Sequence, residues 1–504
     1  MDKTRFITTP IYYVNGSPHI GHAYTTIAAD ILSRYYRMKG EKVFFLTGTD
    51  EHGQKVEQAA KEKNMSPKKY SDGMIGNFKG LWKKLNISQE HKFIRTTDPE
   101  HIEVVKEILT ELFNKKGEIE KRKYSGWYCV PDERFWTEKD LAEGNCPDCG
   151  RPVEHIEEEN YFFLMSKYQQ RLIDHIEQNP EYILPNTRKN EVLGFLKNNK
   201  LDDLCISRPK SRLSWGIEIP FDKDYVTYVW FDALVNYYSA TKYLAPEKDV
   251  QWWPATCHLI GKDILTTHSV YWSTMLMALG WELPKRIFAH GWWMSEDEKM
   301  SKSLGNVVNP LDLVEEFGVD AFRFYLFRNS VFGKDATFSY ESFKKVYESE
   351  LANELGNLLS RVLSMIQKYE PEYVDVGAAH IEMSGDAGNI GTQDKLYNFY
   401  EALDFYNILS QIWDMIRGVN REIEEKKPWE LAKNNRDMLN KCLSEWFQSL
   451  RLISGYIYPF MPETSYKMRE QMGIKDLSLE KLIDSDVNVD FSNIKKGEPL
   501  FPKK

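Results

Sequence analysis

A chain of 504 residues that is 42% hydrophobic and 28% charged has globular composition and is long enough for two or three domains, each with its own core. No run of about 18 or more apolar residues occurs, so no spanning helix or membrane partner is expected. The opening Met1-Asp2-Lys3-Thr4-Arg5 lacks the apolar stretch of a secretory leader, which predicts a cytoplasmic protein. The formal charge of −9 excludes nucleic-acid binding through overall basicity; such a partner would need a local positive face.

Residues 5–14 read as a buried strand and 15–18 as a turn. A helix is predicted from His19 to about Lys39, stopped by Gly40. Residues 43–46 read as a second strand, with Asp50-Glu51-His52-Gly53 beyond its end. Strand, helix, strand is the start of a parallel α/β sheet. Ligands of such sheets lie beyond the C-terminal strand ends, where His19, His22 and Asp50 fall. From 116 to 224 the chain turns polar and turn-rich, as an insertion would, and the sheet is expected to resume near Tyr225. Residues 257–260 and 286–289 are short apolar strands flanking one predicted helix at 264–279. After Lys302 the pattern is helical: Leu351, Leu355, Leu358, Leu359, Val362, Leu363 and Ile366 share one stripe. Helices near 396–424, 429–433 and 437–457 complete a C-terminal bundle, with a weakly patterned tail from Lys475.

Two strings carry phosphate chemistry. Pro18-His19-Ile20-Gly21-His22 puts two imidazoles one turn apart at a helix start, where free N–H groups and the helix dipole favour an anion. Lys299-Met300-Ser301-Lys302-Ser303, followed by Gly305, puts two ammonium groups in a loop that could close over departing phosphates. Taken singly, the histidines could be ordinary residues or half a metal site, and the lysines a solvated pair. Six cysteines are too few for a disulfide scaffold. Cys129, Cys146 and Cys149 cluster, with Asp132 at knuckle spacing from Cys129. That pattern fits a Cys3Asp zinc knuckle or a metal-free tight turn.

These strings resemble those of class I aminoacyl-tRNA synthetases. The resemblance covers residues 1 to about 460 and extends to Pro10-Ile11-Tyr12-Tyr13-Val14-Asn15-Gly16, Gly48-Thr49-Asp50-Glu51-His52-Gly53, Tyr228-Val229-Trp230-Phe231-Asp232-Ala233 and Ile260-Gly261-Lys262-Asp263. The latter strings point to the methionine-specific family. The resemblance implies an α/β fold: a parallel Rossmann-like catalytic sheet (1–115 and 225–290) with a connective insertion (116–224). A KMSKS and stem-contact region (291–350), an all-α anticodon-binding helix bundle (351–475) and a tail (476–504) follow.

The implied methionine pocket is Ile11, Tyr13, Asp50, Trp230, Ala233, Tyr237, His268 and Trp272, an aromatic box suited to a polarizable thioether, with Asp50 for the ammonium. Gly261 and Asp263 match positions that contact adenosine, beside His19, His22, Lys299 and Lys302 for the phosphates. Asn357, Arg361 and Trp429 match anticodon readers; taken alone, Trp429 reads as a core residue. The implied partners are methionine, ATP with Mg²⁺ and tRNA(Met), with at most one zinc ion. The absence of a further C-terminal module favours a monomer. The insertion is too short for the editing domain of the isoleucine, valine and leucine enzymes. A cysteine enzyme would hold zinc in its substrate pocket, and small adenylyl-transferases need no helix bundle.

Overall fold

The structure is a computed structural model that describes residues 3–16, 18–129, 134–136, 138–147, 149–295, 298–299, 310–375, 392–484, 487, 489–495 and 497–503. Its centre is a six-stranded parallel sheet of β1 (Thr4–Tyr13), β2 (Lys42–Asp50), β3 (Lys92–Arg95), β4 (Ile183–Leu184), β5 (Cys257–Gly261) and β6 (Ile287–His290). The strand order is β3-β2-β1-β5-β6-β4. Connections run outward in both directions from β1 and β5, so the crevice at the C-terminal ends of those two strands is the topological switch point.

Helix α1 (Ile20–Met38) follows β1 and starts on His19, whose ring caps it. Alanine and isoleucine on nearly every face let it sink between sheet and bundle: Ala23, Ile27, Ala28 and Ile31 are wholly buried. It ends before Gly40, whose φ of +76° turns the chain into β2 at little cost.

Several elements depart from their sequence expectation. The sheet resumes at Ile183–Leu184, inside the stretch expected as insertion; a two-residue strand carries no readable period. The helix expected at 264–279 begins as a wide-turn segment, Thr267–Trp272, and becomes regular only in α3 (Ser273–Leu279), after α2 (Val229–Tyr243). The helix expected at 396–424 is two, Thr392–Glu401 and Phe405–Lys426. Leu403 at φ +55° breaks it, and the Asp404 carboxylate caps the second by accepting from Asn407 N–H. The tail from 475 is docked: Leu482, Ile483 and Phe501 are buried on the bundle, and the Arg451 guanidinium donates to the carbonyls of Lys481, Leu482 and Asp484.

Of the insertion, Ile119–Cys129 and Glu154–Phe163 form an antiparallel ladder, and Leu204–Cys205 pairs with Phe162 and Phe163 at its end. Beyond β6, Trp293–Ser295 pairs with Glu298–Lys299 and with Ala336–Phe338. The bundle comprises α4 (Val319–Arg328), α5 (Asn357–Tyr369), α6 (Phe405–Lys426), α7 (Arg436–Tyr456) and shorter helices. Arg323 on α4, fully buried, nails it to the sheet domain. It donates to Asp30 Oδ2 on α1 (2.7 Å), to Leu85 O (3.1 Å) and to Pro459 and Phe460 O (2.9 and 2.8 Å). No helix among the described residues is long and apolar enough to cross a membrane.

Candidate active site

A cavity of about 820 Å³ opens at the switch point. It brings together Ile11, Tyr13, His19, His22, Asp50, Trp230, Ala233, Tyr237, Gly261, Asp263 and His268, which come from three strands and four helical segments.

The two histidines are oriented by the backbone. His19 Nδ1 accepts from Gly21 N–H (3.1 Å), and His22 Nδ1 accepts from His19 N–H (3.0 Å). With Nδ1 taken as acceptor, each neutral ring carries its proton on Nε2 and is a donor there. The rings lie 3.9 Å apart at the positive end of α1. Donors and dipole converge on one place, as a phosphate site requires.

The aromatic end is a set of locked rings. Tyr13 and Trp230 meet edge to face at 6.3 Å. His268 Nδ1 donates to Ile264 O (2.9 Å), so Nε2 accepts from Tyr237 O–H (2.7 Å). Burial pushes His268 down to about 4, so the ring is neutral at pH 7 and puts no cation beside an apolar ligand. Trp272 departs from its expected place. It does not line the cavity; fully buried, it stands behind Tyr237 with its ring 6.1 Å away. It fixes the wall from outside.

Asp50 ends β2 beside Tyr13 and is 2% exposed. Its chain neighbours are turned away and anchored. Glu51 receives both nitrogens of the Arg95 fork (2.7 and 2.8 Å), and His52 Nδ1 meets Asp232 Oδ2 at 3.0 Å. Burial pushes the Asp232 carboxyl up, against the opposing pull of His52. On the other wall a Cβ on Gly261 would fall 2.5 Å from Asp263 Oδ1, so only glycine lets that carboxylate lie against the strand end.

Trp292, which leads into the lysine string, carries no site role in the sequence reading. Its Nε1 donates to Asp263 Oδ1 (3.0 Å), its backbone N–H to Asp335 (2.8 Å), and Lys262 lies over its ring at 4.0 Å while pairing with Asp335 at 2.6 Å. Tyr12, His290 and Arg151 line the cavity as well. The Trp292-Trp293 doublet just ahead of the lysine string was the one available signal for that wall.

Lys299 is described through its backbone, paired with Met294 on the small sheet. Lys302 and Asp132 lie outside the described residues. The sulfurs of Cys129, Cys146 and Cys149 lie within 4.8 Å of one another, with Cys129 and Cys149 at 3.5 Å. In the bundle Asn357 and Arg361 stand one turn apart on α5; Asn357 is exposed and Arg361 pairs with Glu424 at 2.5 Å. Trp429 is 44% exposed, which overturns its reading as a core residue.

A parallel sheet with paired histidines at its switch point, an adjoining aromatic pocket and an appended helix bundle defines a class I aminoacyl-tRNA synthetase. The family described as tRNA synthetases class I (M) matches residues 5–156 and 150–363. The methionine–tRNA ligase of Caldanaerobacter subterraneus is 47% identical over all of this chain and 79% of its own, and that of Bacillus subtilis 42% over all of this chain and 78% of its own. Mycobacterium tuberculosis methionyl-tRNA synthetase in complex with methionyl-adenylate superposes with a TM-score of 0.89 at 36% identity, covering 99% of this chain and 100% of that one. Within that class, the chain belongs to the methionine–tRNA ligase family.

Proposed function

We propose that the cavity activates methionine with ATP and passes the methionyl group to tRNA(Met). The observation that carries this is the junction, in one cavity, of a neutral aromatic pocket with a doubly imidazole-capped helix start. The side chain of methionine lies against Tyr13, Trp230, Tyr237 and Ala233, and Asp50 pairs with its ammonium. The carboxylate then attacks the α-phosphorus of ATP in line, and pyrophosphate leaves. His19 and His22, joined by Lys299 and Lys302, stabilise charge growing on the phosphoryl oxygens; Gly261 and Asp263 hold the adenosine. In the second step a terminal ribose hydroxyl of the tRNA attacks the acyl carbon and AMP leaves. No enzyme nucleophile is required. Mg²⁺ accompanies the triphosphate.

The three converging thiols are a donor set suited to zinc, with Asp132 for the fourth position. Zinc, when bound, cross-links the knuckle and supplies no chemistry to the reaction. Elemental analysis of protein purified without chelator is expected to find at most one zinc per chain. Two ions, or a metal bound among the cavity aromatics, would contradict this.

The bundle reads the anticodon through Asn357, Arg361 and Trp429. The Arg361–Glu424 pair ties α5 to the last turn of α6, just ahead of Trp429, and an exposed pair of this kind is cheaply exchanged for a base contact. Trp429→Ala is expected to weaken tRNA charging about 5- to 150-fold, the loss of one base stack, while pyrophosphate exchange continues. Because the indole is exposed, melting should hardly change. A marked fall in melting temperature with charging intact would remove Trp429 from the anticodon site.

A further inference from the structure

The methionine side of the cavity has two walls that belong to different elements. Asp50 ends β2, while Trp230, Ala233 and Tyr237 stand on α2. Behind both walls lies a polar pair that does not itself line the cavity. His52 Nδ1 donates to Asp232 Oδ2 at 3.0 Å, and the two side chains are 5% and 0% exposed. His52 is two residues beyond Asp50, and Asp232 stands in the first turn of α2, between Trp230 and Ala233. The residue between Asp50 and His52 is tied elsewhere. Glu51 N–H donates to Thr96 Oγ1 (2.9 Å), the Arg95 fork holds its carboxylate, and its carbonyl accepts from Trp215 Nε1. His52 alone of these two reaches across to the helix that carries the aromatic wall.

Packing alone does not account for this pair. Asp232 is wholly buried; its Oδ2 also accepts from Thr227 O–H (3.3 Å), and its Oδ1 has no hydrogen-bond partner among the described residues. Two apolar side chains would fill the same space at a lower cost in desolvation. What a buried hydrogen bond adds is a fixed length and direction. Here that length joins the two places an amino-acid substrate must touch at once: the Asp50 carboxylate for its ammonium and the rings on α2 for its side chain. Apolar contacts by themselves discriminate weakly between side chains that differ by one methylene. A rigid spacing between the two ends of the substrate supplies what the rings lack.

We propose that the His52–Asp232 hydrogen bond is a spacer that sets the distance between the ammonium site at Asp50 and the aromatic box on α2, and so selects a side chain of methionine's length. Both are positioning residues, since neither meets the substrate. The proposal rests on the methionine-activation reading above. Pyrophosphate exchange by the full chain is measured with methionine, with S-methylcysteine, one methylene shorter, and with ethionine, one methylene longer. The variants are His52→Asn, whose amide nitrogen falls near Nδ1, His52→Gln, whose amide nitrogen falls near Nε2, Asp232→Asn and Asp232→Leu. In His52→Gln and Asp232→Leu the preference for methionine over both analogues, as ratios of kcat/KM, should narrow about tenfold through KM for the amino acids, the discrimination one methylene usually carries. KM for ATP should stay the same. His52→Asn and Asp232→Asn keep the donor and the acceptor and should retain most of the preference. The two His52 variants decide the matter if Asp232→Leu does not fold. Unchanged ratios in His52→Gln would overturn the proposal, and so would an equal rise in KM for all three amino acids, which would make the pair merely structural. Equal losses in His52→Asn and His52→Gln would also overturn it, by assigning the effect to packing of the imidazole on Trp215, 5.3 Å away. If the parent protein shows no methionine-dependent exchange, the underlying reading fails before any variant is compared.

Discussion

His19→Asn is expected to slow methionine-dependent pyrophosphate exchange by on the order of 10²–10³-fold, with methionine affinity nearly unchanged. Asparagine is a strong helix N-cap, and its amide oxygen can take the Gly21 N–H that Nδ1 of His19 now accepts. The substitution therefore keeps the start of α1 and removes the Nε2 donor. Stabilisation of charge that develops on a phosphoryl oxygen in the transition state is lost, while the methionine end of the cavity is untouched. Initial rates at saturating methionine and ATP, with the methionine KM beside them, decide the matter. A comparable loss in methionine binding, with the rate preserved, would mean that the histidines shape the pocket and do not act on phosphate.

Arg323→Met should destabilise the folded protein by about 3–5 kcal/mol, the usual effect of removing one partner from a buried charge cluster. Methionine fills similar space but leaves Asp30 with Arg34 and Ser88 N–H alone and strands the carbonyls of Leu85, Pro459 and Phe460. The opposing arginines overcome burial and hold the Asp30 carboxyl down at about 2, against an ordinary 3.8. A depressed carboxyl stabilises the fold above its unfolded pKa. The contribution is thus complete at neutral pH and lost as pH falls through about 4 to 2. Denaturant midpoints for Arg323→Met, Asp30→Asn and the double variant check this. The double change should cost less than the sum of the two. A shift below about 1 kcal/mol would show that the cluster is a passive contact between sheet domain and bundle.

The parts of the fold legible in the sequence are those written in local chemistry. A capping histidine, an apolar run and Gly40 mark both ends of α1. The strand-end string Gly48 to Gly53 carries Asp50 to the switch point, because strand ends in parallel sheets are where polar residues collect. What escaped notice depends on partners distant in sequence. The two-residue β4 is a strand only because β6 lies beside it. Trp272 carries the same aromatic character as the wall residues, and only the wide turn of residues 267–272 decides that it backs Tyr237 instead of facing the cavity. Trp292 acquires its place from Asp263 and Asp335, 29 and 43 residues away. Trp429 misled in the opposite sense: indoles are usually buried, and nothing local told that the turn at Lys427 and Pro428 leaves this one in water.

The most direct test of the central claim is amino-acid-dependent ATP–pyrophosphate exchange, run on the purified chain with each of the protein amino acids in turn. A cavity with a neutral aromatic box beside a doubly imidazole-capped helix start should support exchange with methionine and only trace rates with the others. Exchange with cysteine or isoleucine and none with methionine would contradict the account.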